Sequence, residues 1–213
     1  MNDSLAFLAV CYLGVVATLY GEFHSRSWII ATGKLVAATT YLALAWWIGA
    51  AESTYGRILL LGMAFCWLGD MLLVSFRSKR LFLLGLLSFL LGHVAYTGAF
   101  ASRGGSFSMM LAAGLVMTVF AWFVLRWLKP GLDARMRWPV RFYVLAICVM
   151  MTMAAATYLT DKNWVIPLGA LLFLLSDLTV ARDRFITQGF INRALGLPIY
   201  FGAQLTLAMS VVY

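Results

Sequence analysis

The sequence predicts an all-α polytopic membrane protein of eight transmembrane helices. The hydrophobic share is 63% of 213 residues against 11% charged, with a mean hydropathy of +0.91. A soluble domain of this size is nearer half apolar and a quarter charged. Apolar stretches of about 20 residues, the length that crosses a bilayer core, recur along the whole chain. The basic residues fall on alternate connections between those stretches. Residues 1–213 read as a single transmembrane domain, with pseudo-repeat halves of about 1–106 and 107–213.

The spans can be drawn in order. The first, 4–22, starts almost at Met1 with no basic leader and no clear cleavage site, so it reads as a retained helix rather than a signal peptide. The second, 28–49, carries Lys34 close to its start, where a long stem lets an ammonium reach the surface. The third, 56–76, contains Asp70 inside "LLGMAFCWLGDMLLV". The fourth, 81–101, contains His93 and Tyr96 in "LGHVAYTG". The fifth, 107–127, is followed by the longest connection, "KPGLDARMRW", whose Pro130 and Gly131 break the helix. The sixth, 138–158, opens beside Arg141. The seventh, 164–182, repeats the buried acid as Asp177 in "LGALLFLLSDLTVA". The eighth, 192–213, holds Tyr200 and Gln204 in "PIYFGAQLTLA".

With eight spans, 13 of the 16 Lys and Arg residues collect on one side: Arg26, Lys34, Arg77, Lys79, Arg80, Arg126, Lys129, Arg135, Arg137, Arg141, Arg182, Arg184 and Arg193. The other side has Arg57, Arg103 and Lys162. Positive charge marks the cytoplasmic face. Both termini are therefore expected to be non-cytoplasmic, in a multi-pass protein of the cell inner membrane. The net charge of +8 follows from this topology and from contact with anionic lipid. It gives no reason to propose nucleic acid as a partner. Cys11, Cys66 and Cys148 fall inside apolar segments and read as packing residues. Two histidines are too few for a three-histidine zinc site, so no metal and no cofactor are expected.

Asp70 and Asp177 stand 107 residues apart, and the same shift pairs Gly62 with Gly169, Leu68 with Leu175, Arg77 with Arg184, Lys34 with Arg141 and His93 with Tyr200. Two four-helix halves of equal orientation would place both aspartates at similar depth. Asp70 precedes Arg77 by seven residues, roughly 10 Å along a helix, and Asp177 precedes Arg182 by five, roughly 8 Å. The site then lies in the cytoplasmic half. Helical spacing gathers Gly62, Cys66, Gly69 and Asp70 on one face. It does the same for Gly85, Ser88, Gly92, His93 and Tyr96, for Gly169, Phe173, Ser176 and Asp177, and for Arg193, Gly196, Tyr200 and Gln204. Small residues alone would mean close packing. Aspartates in hydrocarbon are costly, about 2.5–3.5 kcal/mol on insertion scales, and mark function or a satisfied helix lock.

The blocks "LGDMLLV", "FLLGLLSFLLGHVAY", "GALLFLLSDLTVARDRF" and "IYFGAQLTLAMS", in this order and spacing, resemble the YhhN family of membrane proteins, which includes lysoplasmalogenases. The likeness runs from about Lys34 to the C-terminus. One departure is Leu35 after Lys34, where many relatives have proline. The resemblance implies an eight-helix ether hydrolase that cleaves the vinyl ether of a lysophospholipid, lysoplasmalogen. The products would be a fatty aldehyde and glycerophosphoethanolamine or glycerophosphocholine. It implies Asp70 and Asp177 as catalytic groups, with His93, Tyr96, Tyr200 and Gln204 supporting them. The depth of the aspartates below the basic loops adds Lys34, Arg141 and the arginines flanking the seventh span as contacts for a phosphate.

Vinyl ethers hydrolyse by protonation of an alkene carbon, which leaves an oxocarbenium ion for water to capture. A carboxylic acid and a carboxylate in different surroundings can divide these roles, as in glycosidases. The competing reading is a lipid or small-amphiphile transporter or flippase with paired intramembrane aspartates.

Overall fold

The computed structural model describes residues 2–74 and 79–213. Arg77, used above for the charge bias and for the repeat, lies outside the described residues. The described chain forms α1 (Asn2–Phe23), α2 (Ser27–Trp47), α3 (Thr54–Leu72), α4 (Lys79–Ser102), α5 (Phe107–Leu128), α6 (Arg137–Asp161), α7 (Val165–Phe185) and α8 (Phe190–Met209). Seven of these, α1 to α7, are long and apolar enough to cross a membrane. The remaining one, α8, is 20 residues long but carries Asn192, Arg193 and Gln204.

The ends differ from the sequence-based spans where local chemistry intervenes. The second span stops at Trp47, because Gly49 turns the chain at φ 88° into a short 3-10 turn over Ala50–Glu52. Glycine adopts that backbone without a Cβ clash. Ser53 then caps α3, its hydroxyl accepting from the Gly56 N–H at 3.0 Å. The third span ends at Leu72 rather than 76, and the eighth at Met209 rather than 213. The Lys-Pro-Gly of residues 129–131 forms a second 3-10 turn, as proline at a helix start allows. Pro198 sits within α8, which nevertheless continues from Phe190 to Met209.

Sequence neighbours pack as hairpins: α1 on α2, α3 on α4, α5 on α6, α7 on α8. Between the hairpins, α4 packs on α6, α2 on α8 and α1 on α8. Close approach needs small residues. A Cβ on Gly62 would sit 2.6 Å from the Tyr96 ring, so this glycine is what lets α3 and α4 lie close enough to bury Tyr96. The core is apolar and aromatic, with Tyr41, Leu59, Met63, Phe100, Phe173 and Phe201 fully buried. In contrast, α5 buries only Val124 and Leu128 and turns the rest of its apolar surface outward.

Polar contacts collect at the two ends of the bundle. At the end opposite the site, Arg103 pairs with Asp161 at 2.7 Å and donates to the Ser210 carbonyl at 3.1 Å. Asn163 donates to the same carbonyl at 3.0 Å, and the Tyr55 hydroxyl bonds the Ser210 hydroxyl. These contacts tie the ends of α3, α4, α6, α7 and α8 where backbone carbonyls would otherwise lack partners. The cavity lined by charged residues lies toward the other end.

Candidate active site

Eight acidic residues occur in the chain, and four of them line one cavity: Glu22, Asp70, Asp177 and Asp183. Lys34, Arg184 and Arg193 join them, and the remaining wall is largely Leu, Val, Ile and Phe from α3 to α8. Such a gathering of charge in an otherwise apolar molecule is expensive unless each group has a partner.

Asp70 is 3% exposed and hangs from the buried face of α3. The Tyr200 hydroxyl donates to its Oδ2 at 2.6 Å. Gln204, one helical turn further along α8, donates Nε2 to the Tyr200 oxygen at 3.2 Å. The Gln204 Oε1 accepts from the Tyr96 hydroxyl at 2.6 Å. A directed chain of bonds thus runs from Tyr96 on α4 through two residues of α8 to the carboxylate on α3. Each member of such a chain polarises the next. Lys34, also buried, lines the same cavity and lies within the electrostatic reach of Asp70 and Glu22.

Asp177 has other company. Its Oδ2 accepts from the Tyr143 hydroxyl at 2.8 Å and stands 3.6 Å from His93 Nε2. His93 is fully buried, and neither of its ring nitrogens makes a hydrogen bond among the described residues. The structure thus sets His93 beside Asp177 rather than Asp70. Asp177 keeps 17% of its side chain accessible. Phe173 fills the space between the two groups, meeting His93 at 4.7 Å and Tyr200 at 5.4 Å, both edge to face.

At the mouth, Arg193 pairs with Glu22 and, at 3.3 Å, with Asp183. Asp183 also accepts from the Gly189 N–H at 2.8 Å and from Asn192 Nδ2 at 3.1 Å, which fixes the α7–α8 loop. Arg184 lies over the Phe82 ring at 4.2 Å and lines the cavity.

Seven of the eight sequence candidates fall in or against this assembly. Arg141 does not: it is exposed and rests over Trp138 at 5.1 Å. Val140, Tyr143, Val144 and Ile147 line the cavity at i, i+3, i+4 and i+7. Arg141 is then about 200° around α6 from Tyr143, since each residue turns about 100°. Sequence reasoning missed Tyr143, Glu22 and Asp183. Simple scarcity was the available signal for the two acids, because so few exist.

The sequence profile of the YhhN family matches residues 32–211, and the chain belongs to that family. It is similar to two curated proteins named lysoplasmalogenase TMEM86A, from Bos taurus and from Homo sapiens, each 32% identical over 157 residues. Those matches cover 71% of this chain and 63% of the relatives, so under two thirds of their length is spanned. No solved structure matches the chain. The chain is an integral membrane protein.

Proposed function

We propose that this member of the YhhN family is a lysoplasmalogenase-like ether hydrolase acting within the membrane. The observation that carries the reading is one cavity in which two aspartates from α3 and α7 face an apolar interior, with Arg184 and the Arg193–Glu22–Asp183 ion pairs at its mouth. That arrangement suits an amphiphile with a phosphate, a hydrolysable link and a single chain. The names of the similar proteins point the same way.

The two carboxyl groups take different parts. Asp177, beside a hydroxyl and an imidazole, is the acid that protonates the alkene carbon one removed from the ether oxygen. Asp70, which shares its end of the cavity with Lys34 and accepts from Tyr200, is the anion. It steadies the positive charge that develops on the ether-bearing carbon. Water adds to that carbon and loses a proton, which restores the acid. The hemiacetal then collapses, breaking its bond to the glycerol oxygen, to release a fatty aldehyde and a glycerophospho-headgroup. The sum is one vinyl ether and one water giving one aldehyde and one alcohol. Arg184 and Lys34 supply positive charge for the phosphate.

The remaining features fit one scheme: eight spans, both termini non-cytoplasmic and the site in the cytoplasmic half. The charge asymmetry supports the orientation. Two four-helix halves are supported by the paired packing of α2 on α8 and α4 on α6. The exchange at the site agrees with it: α4 gives His93 to the aspartate of the second half, and α8 gives Tyr200 to that of the first.

The test is purified protein in detergent with a lysoplasmalogen in deuterated water. Aldehyde carrying one deuterium on the carbon next to the carbonyl is expected. Release of fatty acid from an ester lysophospholipid in its place, or aldehyde without deuterium, would overturn the reaction proposed.

A further inference from the structure

The two seams between the halves, α4–α6 and α2–α8, are built differently. At α2–α8, Phe201 and Ala38 are fully buried, and α1 packs over α8. At α4–α6 the residues 107 positions away, Val94 and Leu145, are 55% and 58% exposed. No comparable packing of α5 on α4 covers them. The same offset sets Leu86 against Arg193, the residue whose ion pairs with Glu22 and Asp183 lock the α8 side. One seam is thus shut by a helix and an ion-pair network, and the other is left as an open apolar groove.

That groove is lined by Leu83, Leu87, Leu90, Val94 and Thr97 of α4, and by Trp138, Phe142, Leu145 and Val149 of α6. Leu86 lines both the groove and the aspartate cavity. From Leu83 to Thr97 the groove runs about 21 Å at 1.5 Å per residue. One leaflet of hydrocarbon is about 15 Å, half of a ~30 Å core.

We propose that the α4–α6 groove is the binding site for the hydrocarbon chain of the amphiphile, which reaches the cavity sideways from the bilayer past Leu86. The occupant follows from three features: the lining is apolar apart from Thr97, the groove adjoins the cavity at Leu86, which lines both, and it faces outward on two membrane helices. Arg184 at the mouth takes the phosphate, the aspartates lie at the reacting bond, and the chain leaves through the seam that is not sealed. Ion pairs at the other seam keep that side shut while the chain is held. The proposal rests on the function given above for the identity of the amphiphile, but not for the presence of a chain site.

Two measurements separate these claims. The first uses an uncleavable alkyl-ether lysophospholipid carrying a photoreactive group at the chain end, with the full-length protein in nanodiscs. Saturable labelling of α4 and α6 along the groove is expected, displaced by unlabelled lipid. Val94→Trp should cut it at least fivefold, and Val116→Trp on the outward face of α5, itself 60% exposed, should not. Even labelling of all exposed helices, undisplaced by competitor, would show only ordinary bilayer lipid and overturn the site. The second compares kcat/KM for long-chain and short-chain vinyl ether lysophospholipids. Val94→Trp should lower the long-to-short ratio by about tenfold, as lost burial of two methylenes would do. An unmoved ratio would also overturn the site. Saturable labelling without any vinyl ether cleavage would leave the groove standing and remove the proposed reaction instead.

Discussion

Asp70 on α3 and Asp177 on α7 line one cavity, yet their neighbours differ in kind. Asp70 is sealed, with Tyr200, Gln204 and Tyr96 in a directed chain of bonds behind it and Lys34 in the same part of the cavity. Asp177 is less enclosed and has one hydroxyl donor, Tyr143, with the His93 ring 3.6 Å away. The difference teaches how two carboxyl groups in one cavity are given unlike surroundings. The backbone fixes where each carboxyl group hangs, and the neighbouring helices set its surroundings: α8 for Asp70, α4 and α6 for Asp177.

The sharpest way to break this comparison is to remove each charge while keeping shape. Asp177→Asn and Asp70→Asn should each lower kcat by about 10²–10⁴-fold in a folded protein, the usual range for loss of a group that moves a proton or meets a developing charge. The two should differ in a second readout. Residual turnover in Asp70→Asn should keep the pH profile of the positioned acid, because Asp177 still protonates the carbon. Residual turnover in Asp177→Asn should instead rise in proportion to solvent acid as the pH falls. The opposite pattern would exchange the roles.

A milder change acts on the donors. Tyr200→Phe removes a hydrogen bond to a charged acceptor in the proposed scheme, worth about 1.5–3 kcal/mol, or roughly 10- to 150-fold in rate. Tyr143→Phe removes one to a protonated acceptor, worth about 0.5–1.5 kcal/mol, or roughly 2- to 12-fold. Activity of the two variants, measured side by side, should therefore rank Tyr143→Phe as the less damaged. Equal losses would mean that both carboxyl groups carry the same charge.

Much of this site is written in the sequence because membrane helices expose their exceptions. Asp70 and Asp177 stand out against leucine. The glycine and serine stripes beside them fix which face turns inward, and Tyr96, Tyr200 and Gln204 follow by helical spacing. Tyr143 was not legible, because a tyrosine among Phe142, Val144 and Leu145 looks like any other membrane aromatic. Arg141 misled for a related reason. Its alignment with Lys34 ignored that the inward face of α6 is set by Val140, Val144 and Ile147, which leaves position 141 outside. Arg184 and Asp183 lie at a helix end, where periodicity gives little guidance and the loop that follows decides the direction.

That distinction between Arg184 and Arg141 gives a smaller prediction. Arg184→Gln should raise KM by about tenfold with kcat little changed, since a phosphate contact is made in ground and transition states alike. Arg141→Gln should change neither constant by more than about twofold, as befits an exposed residue away from the cavity. Steady-state kinetics on both variants decides it, and a KM effect at Arg141 alone would move the headgroup to the outer surface of α6.

The smallest expected effect concerns His93. Its ring is enclosed by Phe173 and Tyr143, edge to face at 4.7 and 5.1 Å, and its Nε2 lies just beyond hydrogen-bond length of Asp177 Oδ2. The same carboxylate oxygen already accepts from Tyr143 at 2.8 Å, so the imidazole is a standby donor rather than the primary one. In the scheme above it takes up that bond when Asp177 gives its proton to the substrate and becomes an acceptor for two donors at once. His93→Gln retains an N–H donor in a side chain of comparable reach. It should lower kcat by only a few-fold and leave KM unchanged, whereas His93→Leu, without a donor, should cost about tenfold. A gap between the two variants, with both proteins folded, identifies His93 as a group that positions Asp177. Complete inactivation of His93→Gln would instead make the imidazole the base that activates water, and the proton would then be shared between Asp177 and His93 rather than held by the carboxyl group alone.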